Sequence, residues 1–217
     1  VTGGARVMAM QSVCPARAFV EFRLRGVPLE APTQPLDLAT RGRVVHRLLE
    51  RLYHIEACSR GLGQVDTGLL RDFFIPVVST VLDEFLPAGE PFFSSLRVIE
   101  SERLWTLLLS LRDLELERSG FQVMTEVTRQ VSIGPLALSI RLDRLDRLDE
   151  GGELVIDYKT GRFSPAGWKR SRLPESQLPL YAVTGRSRGV AVIALRPPAA
   201  TLLGVGDGAL GISGIKS

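Results

Sequence analysis

At Phe121 this chain of 217 residues changes its apolar period, and that switch limits the folds open to it. Ahead of it, Val45, Leu48, Leu49 and Leu52 recur three and four positions apart, with Arg43, Arg47 and Arg51 on the opposite side. The spacing predicts a helix over Arg41–Tyr53, with Thr40 as its N-cap. Similar patterns predict helices over Leu69–Phe85 and Glu102–Arg118, the last closed by Ser119-Gly120. The residues before Thr40 read as irregular. Beyond the switch, Phe121, Val123, Val127 and Val131 take alternate positions, Ser132 to Pro135 reads as a turn, and Leu136 to Leu148 runs extended. Asp149 to Gly152 interrupts the pattern, and Glu153 to Tyr158 resumes it with strong β formers until Thr160-Gly161. A short helix over Glu175–Thr184, with Pro179 in its first turn, and strands at Gly189–Leu195 and Thr201–Val205 complete the reading. The expectation is one α/β domain over 1–217 with a central mixed sheet flanked by helices, mainly helical over 1–120 and β-rich over 121–217.

The net charge of +3 conceals a segregation: residues 1–60 carry +4, residues 61–158 carry −8 and residues 159–217 carry +7. An acidic centre between basic flanks suits a site that holds a cation beneath a surface attracting a polyanion. No run of about eighteen apolar residues exists, so no membrane span is expected. The start, Val1-Thr2-Gly3-Gly4, carries no leader pattern and no initiator Met, and is expected to belong to a longer chain. Cys14 and Cys58 are too few for a disulfide scaffold and form no C-x-x-C pair, which points to a reducing, cytoplasmic compartment. No G-x-x-x-x-G-K-[ST] loop is present, which argues against NTP hydrolysis by this chain alone.

Chemistry concentrates in Arg141-Leu-Asp143-Arg-Leu-Asp146 and Asp157-Tyr-Lys159-Thr-Gly161. Strand alternation puts Asp157 and Lys159 on one face. A three-residue Asp149-Glu150-Gly151 loop, with Gly151 left-handed, sets Asp143 across from Asp157; a two-residue Gly151-Gly152 loop would set it opposite Thr160. Two facing carboxylates repel unless a cation sits between them, so the longer loop implies a Mg²⁺ or Mn²⁺ site with Lys159 beside it. The competing reading makes Asp143, Asp146 and Asp149 part of a solvated Arg/Asp edge strand.

Asp143-Arg-Leu-Asp146, Asp157-Tyr-Lys159-Thr-Gly161 and Gln177-Leu-Pro-Leu-Tyr181 resemble the D-R-x-D, D-Y-K-T-G and Q-L-x-L-Y signatures of the RecB-like branch of the PD-(D/E)xK nucleases. Gly42 to Glu50 is similar to that branch's G-x-x-x-H-x-x-L-E helix. The resemblance implies a restriction-endonuclease-like core and a metal-dependent DNA nuclease of repair or recombination, working with a helicase-like segment or partner subunit. It makes His46, Asp143 and Asp157 metal-binding, Lys159 catalytic, Glu126 a further acidic ligand, and Gln177 and Tyr181 positioning residues near DNA. Each has a plainer alternative: His46 contacting Glu50 one turn on, Glu126 facing solvent, and Gln177 with Tyr181 merely packing. Cys14-Pro15-Ala-Arg-Ala-Phe19 is similar to a segment that, in some relatives, begins an iron–sulfur site; the later cysteines are missing, so no cluster is expected. The main alternative function is a catalytically silent nuclease-fold module that binds DNA or acts as a scaffold in a helicase–nuclease assembly.

Overall fold

The computed structural model describes residues 4–27, 36–87, 91–133, 136–161, 163, 180–181, 187–196, 199–207, 210 and 212–216. The N-terminal segment is helical, not irregular: α1 (Ala5–Val13) and α2 (Pro15–Ala18) run on into a π-helical turn at Phe19–Arg23. Its signal was weak because Gly4 offers no side-chain cap and apolar and polar residues are mixed around α1. α3 (Leu38–Tyr53) begins earlier than expected. Its N-cap is Asp37, whose Oδ1 accepts the Thr40 N–H at 2.7 Å, so Thr40 lies inside the first turn as the donor. Asp37→Ala is expected to lower the melting temperature by about 2–4 °C, measurable by calorimetry. α4 (Thr67–Phe85) is capped by Asp66, which accepts from Gly68 N at 2.8 Å. α5 (Pro91–Leu116) starts well before Glu102, because exposed Phe92, Val98 and Ile99 blur the apolar stripe of its first turns.

Among the described residues, the second half of the chain supplies a six-stranded mixed sheet. Its strands are β1 (Phe121–Ile133), β2 (Leu136–Leu148), β3 (Glu153–Lys159), β4 (Ser187–Ala194), β5 (Thr201–Gly206) and β6 (Ile215–Lys216), in spatial order β1-β2-β3-β4-β5-β6. The pairs β1/β2, β2/β3 and β4/β5 are antiparallel, whereas β3/β4 and β5/β6 are parallel. The two-residue β6 escaped the sequence reading. Of the expected Glu175–Thr184 helix, Leu180 and Tyr181 are helical; Gln177 and Pro179 lie outside the described residues.

Two apolar clusters sandwich the sheet. Leu154, Ile156, Tyr158, Ala191 and Ile193 face α3, α4 and α5, while Val155, Val190 and Val192 face Leu180 and Tyr181. β3 and β4 are therefore buried on both faces, as expected of strands in a parallel pair. On β1 and β2 the facing slips by one residue at a single rung. Phe121 and Val123 belong to the helical cluster but Val127 and Val131 to the other; Leu138, Ile140 and Leu142 share a cluster with Leu145 rather than with position 144. The slip falls at Glu126, whose φ of 55° is left-handed, between the pairs Thr125↔Arg144 and Val127↔Leu142. Asp143 lies opposite it. A non-glycine residue held there is strained, a feature that concentrates at functional sites.

Candidate active site

The β2–β3 hairpin has the register expected of the longer loop: Arg144 pairs with Ile156 and Leu145 with Val155. Gly151 is left-handed at φ 92°, and its N–H donates to Leu148 O at 3.0 Å. Asp143 follows one residue beyond the last of these pairs, and its Oδ2 accepts the Tyr158 N–H at 3.4 Å. On β3, Lys159 Nζ lies 2.9 Å from Asp157 Oδ2, as strand alternation requires.

His46 enters from α3. Its Nδ1 is 3.5 Å from Asp143 Oδ2 and its Nε2 is 3.1 Å from Tyr158 O, so it ties the helix to both strands. The one-turn contact to Glu50 is not made; Arg47 takes Glu50 at 2.8 Å instead. Both neighbours of the imidazole are acceptors, an arrangement that suits the doubly protonated ring. Burial opposes that charge, but the hydrogen bond and negative charge of Asp143, helped by Asp157, raise the His46 pKa above its usual value. To ligate a metal, His46 would have to give up this proton.

The carboxylates are driven apart in acidity. Burial works to raise Asp143, yet hydrogen bonds from His46 and Tyr158 N–H hold it below the ordinary Asp value. Burial and the Asp143 charge push Asp157 up to about 6, against the pull of Lys159. Burial, with Asp143 close by, also raises Glu126. Glu126 is half-buried rather than solvent-facing, and its Oε2 is paired with Arg141 Nε. Tyr181 is buried, and its hydroxyl donates to Arg141 O at 2.9 Å, bracing β2 beside that pair. His46, Glu126, Arg141, Asp143 and Lys159 line a cleft of about 650 Å³, together with Arg43 and the apolar Leu38 and Phe85.

One group was missed by the sequence reading, and its competing edge-strand alternative does not hold. Arg141 stands two positions before Asp143, a spacing that marks it as a same-face neighbour, but it was not singled out. Arg144 and Asp146 are not on a solvated edge: β2 lies between β1 and β3, and both side chains are fully buried. Arg144 Nε reaches Asp146 Oδ1 at 2.5 Å, its Nη1 pairs with Glu115, and Arg118 Nη2 meets Asp146 Oδ2 at 2.6 Å.

A family model described as the PD-(D/E)XK nuclease superfamily matches residues 11–210. The chain belongs to that superfamily. The mixed sheet flanked by helices is consistent with the restriction-endonuclease-like core of PD-(D/E)XK proteins. No curated protein matches the sequence. The solved structure of SSO0001 is 19% identical, the match covering 90% of this chain and 77% of that one, at a TM-score of 0.30. Among the described residues no helix is long and apolar enough to cross a membrane.

PD-(D/E)XK nucleases typically use divalent metals, so the donors can be tested for fit. Asp143 and Asp157 are hard oxygen donors, and the upward push of one by the charge of the other is relieved by a shared cation. The donor chemistry therefore fits Mg²⁺ or Mn²⁺. Among the described residues, however, no three His, Cys, Asp or Glu side chains converge as a ready-made cluster. Arg141 holds Glu126, and Lys159 holds Asp157.

The Asp157 shift carries a pH signature in metal-free protein. Between the ordinary Asp value of 3.8 and about 6, this carboxyl keeps its proton in the folded chain and loses it in the unfolded one. Its contribution to stability is complete at the low end of that window and is lost as pH rises through about 6. Asp157→Asn is expected to remove this slope, as measured by urea midpoints across the window. An unchanged slope would locate the titration elsewhere.

Proposed function

We propose that this domain is a metal-dependent deoxyribonuclease of the RecB-like branch, hydrolysing phosphodiester bonds in DNA repair or recombination. The observation that carries the reading is the cluster at the ends of β2 and β3: Asp143 and Lys159 line one cleft, and the buried Asp157, 2.9 Å from Lys159 Nζ, is pushed up to about 6. Groups whose acidity is driven apart in a concave site are the usual mark of catalysis.

Asp143 and Asp157 would hold Mg²⁺ or Mn²⁺, with Glu126 joining once released by Arg141 and His46 once deprotonated. When bound, the metal polarises the scissile phosphate and lowers the pKa of a coordinated water. Lys159 is the catalytic cation, orienting the attacking water and stabilising charge that builds on a phosphoryl oxygen. Arg43 and the +7 segment from residue 159 onward attract the phosphate backbone. Tyr181 and Gln177 are positioning residues, Tyr181 through Arg141. The single domain works beside a helicase-like segment or subunit, and its free Cys14 and Cys58 suit a reducing, cytoplasmic setting.

Incubation of the purified chain with linear and supercoiled DNA tests the reading. Cleavage is expected with Mg²⁺ or Mn²⁺, abolished by EDTA and restored by excess metal. Because His46 must lose a proton to ligate, metal affinity is expected to weaken as pH falls, measurable by calorimetric titration of Mn²⁺. A second reading, a nuclease-fold module that grips DNA without cutting it, is favoured by the pairing of Glu126 with Arg141 and of Asp157 with Lys159. Binding without any metal-dependent cleavage would select it.

A further inference from the structure

Beside the cleft lies a second cavity of about 330 Å³, sharing Leu38 and Thr160 with it. It sits at the carboxyl ends of the parallel pair β3 and β4, the side of an open α/β sheet where ligands bind. Leu195 N donates to Lys159 O at 2.8 Å, which sets Arg196 next to the end of the strand that carries Lys159. Three arginines line the cavity: Arg41, Arg103 and Arg196. Arg41 and Arg103 flank the fully buried Glu100, two cations to one carboxylate. The Arg41 Nε is buried without a hydrogen-bond partner among the described residues, its carboxylate oxygen 3.5 Å away. Arg196 is exposed and makes no ion pair among the described residues. Thr106, Ser110 and Thr160 also line it; the Thr106 hydroxyl donates to Glu102 O at 3.0 Å and Ser110 Oγ accepts the Ala200 N–H. Arginine forks with neighbouring hydroxyls are phosphate-recognising chemistry, and the volume is at the small end for ligand pockets.

We propose that this arginine-lined cavity binds a backbone phosphate of the DNA strand lying in the cleft, with Arg196 as its principal contact. The inference rests on the nuclease reading for the identity of the strand. It assigns Arg196 to holding substrate and not to the reaction.

Binding of a fluorescein-labelled single-stranded oligonucleotide, followed by anisotropy in EDTA at several KCl concentrations, tests it. Arg196→Ala removes an exposed side chain, so the melting temperature is expected to stay unchanged. Affinity at low salt is expected to fall about fivefold or more, and the log–log salt slope to shrink by about one. Equal affinity and equal slope in variant and wild type overturn the proposal, while metal-dependent cleavage by both leaves the nuclease reading standing. Loss of binding in the variant without any cleavage by the wild type supports the phosphate site and sinks the nuclease. If deoxyadenosine monophosphate binds in an Arg196-dependent way and the oligonucleotide does not, the site takes a small anion and the strand assignment falls. No binding of either probe by the wild type overturns it.

Discussion

Replacement of Asp157 or Lys159 by Ala is expected to lower metal-dependent cleavage by at least about 10²-fold, the scale of losing one preorganised electrostatic group. The two variants should differ in stability, and that difference separates a catalytic from a structural role. Asp157 is buried against Asp143, and its raised pKa records a repulsion that the fold carries. In metal-free protein at neutral pH, Asp157→Ala therefore removes a buried like-charge contact, and the melting temperature should hold or rise while activity collapses. Lys159→Ala removes the cation 2.9 Å from that carboxylate, so its stability should fall modestly along with its activity. A residue needed only for folding would lose both together at position 157. Single-turnover cleavage and thermal melting of both variants decide the matter, and Mg²⁺-dependent cleavage retained by both would sink the assignment.

How much of this site could be read from the chain depends on what each residue's neighbours are. Asp157 and Lys159 share a face by strand period alone, and Asp143 follows once Gly151 is recognised as the left-handed residue of a three-residue loop. These are local facts, visible at short sequence separation. The partner of His46 is not local: Asp143 is brought to it by the packing of α3 on the sheet, and the apparent partner at Glu50 is claimed by Arg47. Glu126 illustrates a different barrier. Alternation along β1 assigns it a face only if the period is unbroken, and its left-handed backbone is the point where the period slips. Nothing in Thr125-Glu126-Val127 announces such a slip, since glycine or asparagine is the usual occupant of that conformation. The early start of α5 was hidden for the opposite reason, its exposed Phe92, Val98 and Ile99 spreading apolar character around the helix.

The second large effect is expected far from the reacting groups, at Arg144. The Arg/Asp alternation of β2 reads as a wet edge, yet Arg144 is fully buried, pairing with Glu115 and Asp146 and donating to Tyr53 Oη at 2.8 Å. Its guanidinium also lies 4.8 Å from the Tyr53 ring centroid. Glu115 is held in turn by Leu62 N at 2.5 Å and by the Tyr53 hydroxyl at 2.7 Å, so one cation joins α3, α5 and β2. Arg144→Ala would leave Asp146 paired with Arg118 and Glu115 held by the Leu62 N–H and the Tyr53 hydroxyl without the Arg144 cation. Breaking a buried pair in this way costs about 3–5 kcal/mol, which for a chain of this size lowers the melting temperature by roughly 10 °C. Arg144→Lys should recover only part of the loss, because an ammonium cannot bridge Glu115 and Asp146 as a planar fork does. Neutralising Glu115 alongside, as in Arg144→Met with Glu115→Gln, leaves Asp146 paired with Arg118 and should recover more of the stability than Arg144→Lys does, since the penalty is for unpaired buried charge. Arg144 also donates to Tyr158 Oη on β3 at 3.3 Å, and Tyr158 is the residue whose N–H and C=O meet Asp143 and His46. A folded Arg144 variant assayed well below its melting temperature should therefore also cleave more slowly, and a variant that melts and cleaves like the wild type would show that the network neither holds the fold nor sets the site.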